Sequence, residues 1–371
     1  MLTLHEVRRS LGNWLAITRG RLRGRTYAPH PRRAIYMETS GRCNLACRFC
    51  AYDRAGSEQL MKLDLFRSTL GQVVDMGFDF VYLTPSLGEV FADPTLFAKL
   101  DLLESEPQIR GYGFFSNFIL ADEEDIHHLT RLSKLHSLSI SLYGFDEDSF
   151  VLTTRKPAKQ FHRLLRNLQT LLDVTARWNP AGGLHFNART IRTGRPFLQQ
   201  PTPLVETLQR LLLRQGTHFD ESEEYDNWGG VIKNADVAPL GIALTDGRHL
   251  YMRGACTKLF GEVQIKADGT VHACACRDTD GSLRIGQLGS SPLDRILSWD
   301  NPVYRGLIEE QMRGRFGANC RSCSSYRSVF DDRASRLDPK LDVMSVDKAI
   351  THLTTGPERQ GQDRPGGDRG H

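Results

Sequence analysis

Short apolar runs alternate with longer amphipathic stretches between about residue 35 and residue 218. The short runs predict strands, and the longer stretches repeat apolar residues at helical spacing and predict helices. The predicted strands are residues 35–38, 80–83, 113–115, 138–142, 184–190 and 217–220. The predicted helices between them are residues 63–76, 95–104, 121–134, 161–176 and 203–214.

Six alternations of strand and helix predict an α/β fold with an all-parallel sheet, because parallel strands need long crossover connections. Right-handed crossovers curl such a series into a partial barrel or an open sheet, and periodicity does not choose between them. In both, ligands bind at the carboxyl ends of the strands. Residues 1–33 predict a short amphipathic helix and a basic linker, and residues 336–371 a tail with a disordered end.

The composition is that of a folded globular protein, with 371 residues, 40% hydrophobic and 25% charged. The net charge of +4 favours no particular partner. The arginine-rich start predicts a solvated helix and linker more readily than a nucleic-acid or lipid patch. We find no signal peptide and no apolar run of membrane-spanning length, so we interpret the eight cysteines as reduced, metal-bound and cytoplasmic.

Three of these cysteines, Cys43, Cys47 and Cys50, follow the first predicted strand at spacings of four and three. Three thiolates in one loop can hold a four-iron cluster and leave one iron without a protein ligand. Such an open position distinguishes a catalytic metal site from a structural one. The alternatives are zinc or inert buried thiols, but zinc needs a fourth nearby ligand, and none follows in residues 51–54.

The pattern Cys-x3-Cys-x2-Cys, with Phe49 before its last cysteine, resembles the signature of radical S-adenosylmethionine (radical SAM) enzymes. The resemblance implies a six-stranded partial (β/α)6 barrel, similar to part of a TIM barrel, over residues 34–240. It also implies that SAM binds the open iron and is cleaved to a 5′-deoxyadenosyl radical, which removes hydrogen from a substrate carbon. An external one-electron reductant such as flavodoxin or ferredoxin is then implied.

Polar residues after the second, third and fourth predicted strands resemble the cofactor-binding motifs of that family. The Gly-Glu pair resembles the motif that holds the amino group of SAM, although Leu87 replaces its usual first glycine. The Ser-Asn pair and a later serine resemble ribose contacts, and an arginine suits the methionine carboxylate. The residues expected to bind the cofactor are Phe49, Gly88, Glu89, Ser116, Asn117, Ser141 and Arg155.

Two further stretches are candidates for contact with a substrate. The fifth predicted strand alternates His185, Asn187 and Arg189 with apolar residues, which predicts either a cavity wall or an internally satisfied network. The sixth leads into the acidic, aromatic residues 220–230. Carboxylates beside an aromatic platform suit a polyhydroxylated or amine-bearing substrate. We therefore expect substrate binding by Asp226, Asn227 and Trp228, with an exposed acidic loop as the alternative.

A second cysteine group follows. A predicted hairpin of strands 262–266 and 271–273 returns the chain to its first cysteine, and a Cys-x2-Cys pair follows a helix predicted over 302–313. Four thiolates suit zinc or a second four-iron cluster. The arrangement resembles the SPASM extension in its shortened twitch form, which implies one auxiliary [4Fe–4S] cluster in residues 241–335. The expected ligands are Cys256, Cys274, Cys320 and Cys323.

Cys276 is left over from this group. It is a substitute ligand, an inert thiol, or a catalytic donor of hydrogen to the substrate radical, as in radical epimerases. The resemblance implies an enzyme that epimerises or dehydrogenates a sugar or cyclitol in natural-product or glycan biosynthesis. In a dehydrogenase the auxiliary cluster accepts the second electron.

The alternative function is a maturase acting on a ribosomally made peptide, although some 35 residues before the barrel are short for a peptide-recognition domain. A nucleic-acid-modifying enzyme and a non-catalytic zinc-binding protein are supported less well.

Overall fold

The computed structural model describes residues 4–84, 86–174, 178, 180–222, 225–275, 277–333 and 343–355. Its strands are β1 (Ala28–Pro29), β2 (Ala34–Met37), β3 (Phe80–Tyr82), β4 (Gly111–Ser116), β5 (Leu135–Leu142), β6 (Leu184–Ala188), β7 (Thr217–Glu221), β8 (Tyr225–Asp226), β9 (Leu244–Thr245), β10 (Gln264–Ile265), β11 (Thr270–His272), β12 (Arg284–Gln287) and β13 (Val343–Met344). Its α-helices are α1 (Leu4–Leu22), α2 (Tyr52–Ala55), α3 (Leu63–Asp75), α4 (Leu96–Ser105), α5 (Glu123–Leu129), α6 (Glu147–Thr154), α7 (Lys159–Val174), α8 (Pro203–Leu212), α9 (Asn234–Val237), α10 (Lys258–Gly261), α11 (Leu293–Ile296), α12 (Pro302–Met312), α13 (Ala318–Ser322) and α14 (Val346–Thr354).

The main sheet has nine strands in the order β12-β11-β10-β2-β3-β4-β5-β6-β7. Strands β2 to β7 are parallel neighbours in chain order, with Ile35 opposite Val81 and Leu138 opposite Leu184. Helices between these strands supply the crossovers that parallel pairing requires. The predicted α/β fold with a large parallel sheet is confirmed, and its closure as a partial barrel stays a prediction.

The helices follow from capping residues and apolar spacing. Helix α7 buries Phe161, Leu164, Leu168 and Leu171, at the three- and four-residue spacing of one helix face. Helix α6, which the apolar spacing did not predict, begins with a capping box in which the Asp146 side chain accepts from the third residue of the helix. Such caps satisfy backbone donors that the first turn leaves free.

The hairpin of the second cysteine group is part of the main sheet. Strand β10 pairs antiparallel with β11 and parallel with β2, with Gln264 opposite Tyr36. The Ser86 hydroxyl, in the loop after β3, donates to the Gln264 amide oxygen at 3.0 Å and to the Ala275 carbonyl at 3.1 Å. This hairpin therefore extends the parallel sheet beyond its first strand.

Residues 336–371 were predicted to form a tail with a disordered end, and residues 343–355 of this tail contain a strand and a helix. Strand β13 pairs antiparallel with β1, and helix α14 follows with Val346, Ala349 and Leu353 buried. The Arg32 guanidinium also donates to the Thr355 carbonyl at 2.7 Å. The prediction of a disordered end concerns residues 356–371, which lie outside the described residues. Within the described part of the chain, no helix is long and apolar enough to cross a membrane.

Candidate active site

The loop of residues 43–50 leaves the carboxyl end of β2 and is held by the last turn of α6. The Ala46 amide donates to the Thr154 carbonyl at 3.2 Å, and the Arg48 amide donates to the Thr153 carbonyl at 3.0 Å. The last turn of a helix has carbonyls without partners inside the helix, so it offers acceptors to an adjacent loop. Helix α6 therefore fixes the position of the three thiols.

The three thiols of this loop form no disulfide; Cys47 is buried, and Cys43 and Cys50 are half-buried. Burial raises the pKa of Cys43 to about 12, and the nearby Glu89 carboxylate adds to the rise. Burial likewise raises the pKa of Cys47, and the neighbouring thiols Cys50 and Cys43 raise it further. Thiolates this close together need a positive partner, and metal ions supply one. The donor set therefore fits an iron–sulfur cluster.

Arg155 closes this loop. It ends helix α6 in the left-handed conformation, at φ +58°. Its Nε donates to the Ala46 carbonyl at 2.6 Å, and its guanidinium pairs with Asp53. These contacts brace the cysteine loop, so the guanidinium that was expected to bind the methionine carboxylate already has an anionic partner.

Glu89 joins three loops at the carboxyl end of the sheet. Its buried carboxylate accepts hydrogen bonds from the Ser116 hydroxyl at 2.5 Å, the Asn117 amide at 2.7 Å and the Phe91 amide at 3.3 Å. Its own amide donates to the Arg42 carbonyl at 2.7 Å. Burial raises the pKa of Glu89 to about 7, against these hydrogen bonds. A carboxylate has about four acceptor positions, so one remains for an ammonium donor.

Asn117 brings the end of β4 to the cysteine loop. Its amide nitrogen donates to Asn44 at 2.8 Å and lies 4.0 Å from the Cys43 sulfur. The next residue, Phe118, has φ +59° where the family pattern often has glycine. Gly88 precedes Glu89 in the loop after β3 and is partly exposed. The predicted Gly-Glu and Ser-Asn pairs therefore meet beside the first cysteine.

Phe49 lies between two tyrosines. Its ring centroid is 5.4 Å from that of Tyr143 and 5.1 Å from that of Tyr225. The Tyr143 hydroxyl is hydrogen-bonded to Ser141, and burial raises the pKa of Tyr143. Ser141, at the carboxyl end of β5, is thus connected to Phe49 of the cysteine loop through Tyr143.

The second cysteine group lines one pocket with an empty volume of about 420 Å³. Burial raises the pKa of Cys320 to about 12, and the charge of Cys256 raises it further. Among the described residues, no three His, Cys, Asp or Glu side chains converge on a point suited to a single metal ion. Four thiols around one space are a donor set that fits a four-iron cluster. The four lining thiols are Cys256, Cys274, Cys320 and Cys323.

Asp226 connects the two cysteine groups. Its carboxylate accepts from Arg277 Nε at 2.7 Å, from the Trp228 amide at 2.6 Å and from the hydroxyl of Ser324, the residue after Cys323. The oxygens that were expected to bind substrate therefore have partners inside the protein. Asn227, expected beside it, caps the following turn by accepting from the Gly230 amide at 3.2 Å.

Trp228 and Arg277 complete this connection. The indole Nε1 donates to the Phe49 carbonyl at 2.9 Å, and the Arg277 guanidinium lies 4.5 Å from the centre of the Trp228 ring. Arg277 also lines the four-thiol pocket, and its charge opposes the rise that burial causes in the pKa of Cys50. We call Asp226, Trp228 and Arg277 the inter-site bridge. The role of Arg277 was not predicted from the sequence, in which its only distinguishing feature is a positive charge close after Cys274.

Cys276, the candidate hydrogen donor, lies outside the described residues. A parallel sheet with three closely spaced thiols in its first loop and a four-thiol pocket nearby fits an iron–sulfur protein.

Comparisons with known proteins agree with this class. A model of the radical SAM superfamily matches residues 37–183, and a model of the SPASM iron–sulfur cluster-binding domain matches residues 256–324. No curated protein matches the chain by sequence. The solved structure of BtrN in complex with AdoMet and 2-DOIA has a TM-score of 0.50 and 15% identity, over 80% of this chain and 94% of that chain. Streptococcus suis SuiB bound to precursor peptide SuiA has a TM-score of 0.53 and 15% identity, over 82% and 72%.

Residues 37–183 are a radical SAM domain, and residues 256–324 are a SPASM domain. A radical SAM domain implies SAM and a [4Fe–4S] cluster, and a SPASM domain implies auxiliary iron–sulfur chemistry. The two solved structures share the fold at low identity, so they do not assign a substrate.

Proposed function

We propose that this enzyme removes hydrogen from a carbon of a sugar or cyclitol and epimerises or dehydrogenates that carbon. When bound, the cluster and SAM supply a 5′-deoxyadenosyl radical. The observation that carries the proposal is that the inter-site bridge joins the three-thiol loop to the four-thiol pocket. A radical generator and a second redox centre then serve one substrate site.

The residues that hold SAM follow from the carboxyl ends of the strands. We assign the cluster to Cys43, Cys47 and Cys50 and the SAM amino group to the Gly88–Glu89 loop, where Glu89 keeps one acceptor position. The ribose is assigned to Ser116, Asn117 and Ser141, and the packing of the cofactor to Phe49. Arg155 is assigned to the positioning of the cysteine loop, because it already pairs with Asp53.

The four-thiol pocket is assigned to one auxiliary [4Fe–4S] cluster with four protein ligands. In a dehydrogenation, this cluster would take the second electron while a proton leaves the hydroxyl group. In an epimerisation, a thiol would instead return a hydrogen atom to the opposite face, and Cys276 remains our candidate donor. We place the inter-site bridge between the two centres, with Trp228 and Asp226 orienting Arg277.

Strand β6 offers polar groups for a polyhydroxylated substrate. His185, Asn187 and Arg189 are half-buried and alternate with buried apolar residues. His185 bonds to the Gly182 carbonyl at 2.7 Å, whereas the side chains of Asn187 and Arg189 donate no hydrogen bond within the described residues. The charge of Arg189 lowers the pKa of Tyr143 against the larger effect of burial, which places the guanidinium near the cysteine loop. An amide and a guanidinium with free donors suit hydroxyl groups.

The experiment is an anaerobic assay in deuterium oxide with SAM, dithionite and a panel of aminocyclitols and nucleotide sugars. Substrate-dependent formation of 5′-deoxyadenosine supports the proposal. One solvent deuterium at an inverted carbon identifies an epimerase, and a ketone without solvent deuterium identifies a dehydrogenase. If only ribosomal precursor peptides stimulate cleavage, the carbohydrate proposal is wrong and the peptide-maturase alternative replaces it.

A further inference from the structure

Helix α1 carries a row of apolar side chains on its outward face. At about 100° per residue, these side chains fall within one arc of about 100° around the helix axis. A soluble helix normally turns such a face inward. We call this set the α1 apolar row, and its members with their exposed fractions are Val7 (46%), Leu11 (54%), Trp14 (44%), Leu15 (45%) and Leu22 (83%).

The opposite face of α1 is packed against the protein. Ala16 and Ile17 are each 1% exposed. A Cβ at Gly20 would lie 1.9 Å from the Phe330 carbonyl oxygen, so the two backbones are in close contact. The helix is therefore docked on the segment that follows the last cysteine, and the apolar row points away from the protein in a fixed orientation.

Positive charge flanks this row. Arg19 and Arg23 share Asp332, at 3.5 Å and 3.7 Å. Within the described ranges, no carboxylate pairs with Arg8, Arg21 or Arg25. The helix itself contains one acidic residue, Glu6. The exposed arginines beside the row and just after the helix are Arg8, Arg19, Arg21, Arg23 and Arg25.

We propose that α1 binds the surface of an anionic membrane, with its axis in the plane of the bilayer. The apolar row would enter the boundary between headgroups and acyl chains, where tryptophan is favoured, and the arginines would contact anionic headgroups. A nucleic acid would use the charge but gain nothing from aliphatic side chains. A second copy packed row against row would bring arginines together, which costs free energy. The proposal is independent of the reaction proposed above.

The test uses the full chain and vesicles of phosphatidylcholine, alone or mixed with phosphatidylglycerol. We expect cosedimentation with the mixed vesicles, weakened by added salt, together with a blue shift of the tryptophan fluorescence, to which Trp14 contributes. Leu11→Glu/Leu15→Glu lowers the partition coefficient at least about tenfold, and Arg8→Glu/Arg21→Glu lowers it at least about thirtyfold. Leu213→Glu is the matched control, because Leu213 is 86% exposed at the end of α8 and should bind as the parent does.

Absence of cosedimentation with the mixed vesicles overturns the proposal, as does equal binding by the parent and Leu11→Glu/Leu15→Glu. Self-association that this double variant abolishes, without vesicle binding, assigns the row to a second copy instead. Binding of duplex RNA without vesicle binding assigns the arginines to nucleic acid. Circular dichroism checks that the variants fold. Should the double variant unfold, Leu22→Ser keeps the test decisive, because Leu22 is 83% exposed.

Discussion

Glu89 is a buried carboxyl whose pKa is raised to about 7 by burial. Because the folded protein keeps this proton where the unfolded chain has lost it, the group stabilises the fold below about pH 4.5. That contribution disappears as the pH rises through 7. We therefore expect the unfolding free energy of the cluster-free protein to fall by up to about 3 kcal/mol between pH 4.5 and pH 8 because of Glu89.

The measurement is urea unfolding of the cluster-free parent and of Glu89→Gln at several pH values. Glutamine keeps the shape and does not titrate, so the variant should lose that part of the pH slope. Glu106→Gln is the control, because Glu106 is more exposed and its carboxylate accepts from the Gln108 amide. Identical slopes for parent and Glu89→Gln would show that the carboxyl does not titrate as described.

Arg277 is expected to set the reduction potential of the auxiliary centre. A positive charge beside a cluster stabilises its reduced, more negative form, so Arg277→Gln should lower the midpoint potential by tens of millivolts, on the order expected for one nearby charge. Arg277→Lys keeps the charge and should keep most of the potential. The measurement is a redox titration followed by electron paramagnetic resonance.

Arg284→Gln is the matched control for that titration, since Arg284 is exposed on β12. A shift in Arg277→Lys as large as in Arg277→Gln would mean that packing, and not charge, couples Arg277 to the cluster.

At the scale of elements, the turn after β8 presses against helix α13. Gly229 has φ +65°, and a Cβ there would lie 1.6 Å from the Asn319 Oδ1 atom. Asn319 precedes Cys320, a proposed ligand of the auxiliary cluster. We therefore expect Gly229→Ala to destabilise the protein by about 1–3 kcal/mol and to reduce auxiliary iron content. Thermal unfolding and iron analysis provide the measurement.

Gly306 is the matched control, because it lies inside α12 with nothing within 4 Å of its Cβ position. Gly306→Ala should stabilise the protein by about 0.5–1 kcal/mol, the helix preference for alanine. Should Gly229→Ala unfold like the parent, the contact between this turn and α13 would not be the constraint that the structure indicates.

The parallel sheet could be predicted from the sequence because its signal is local: each strand and each crossover helix carries its own periodicity. The spacing of Cys43, Cys47 and Cys50 is equally local. The bracing of that loop by α6 could not be predicted, because Thr153 and Thr154 lie about a hundred residues further along the chain. Asp226 was predicted to bind substrate, and its internal partners could not be foreseen because Arg277 and Ser324 come from distant segments.

At the scale of the whole molecule, the hairpin β10–β11 joins the same sheet as β2, so the two cysteine groups share one framework. That arrangement is what lets a short bridge of three side chains connect them. Helix α1, with its apolar row on the other side, packs against the segment that follows Cys323.

The central claim is that one chain holds two separate iron–sulfur clusters, and the direct test is iron and sulfide counting after anaerobic reconstitution. We expect about eight irons in the parent, because each four-iron cluster holds four. About four should remain in Cys43→Ala/Cys47→Ala/Cys50→Ala, and about four in a variant with the four pocket cysteines changed to serine. A parent with about four irons, all lost in the triple alanine variant, would contradict the account, as would zinc in the four-thiol pocket.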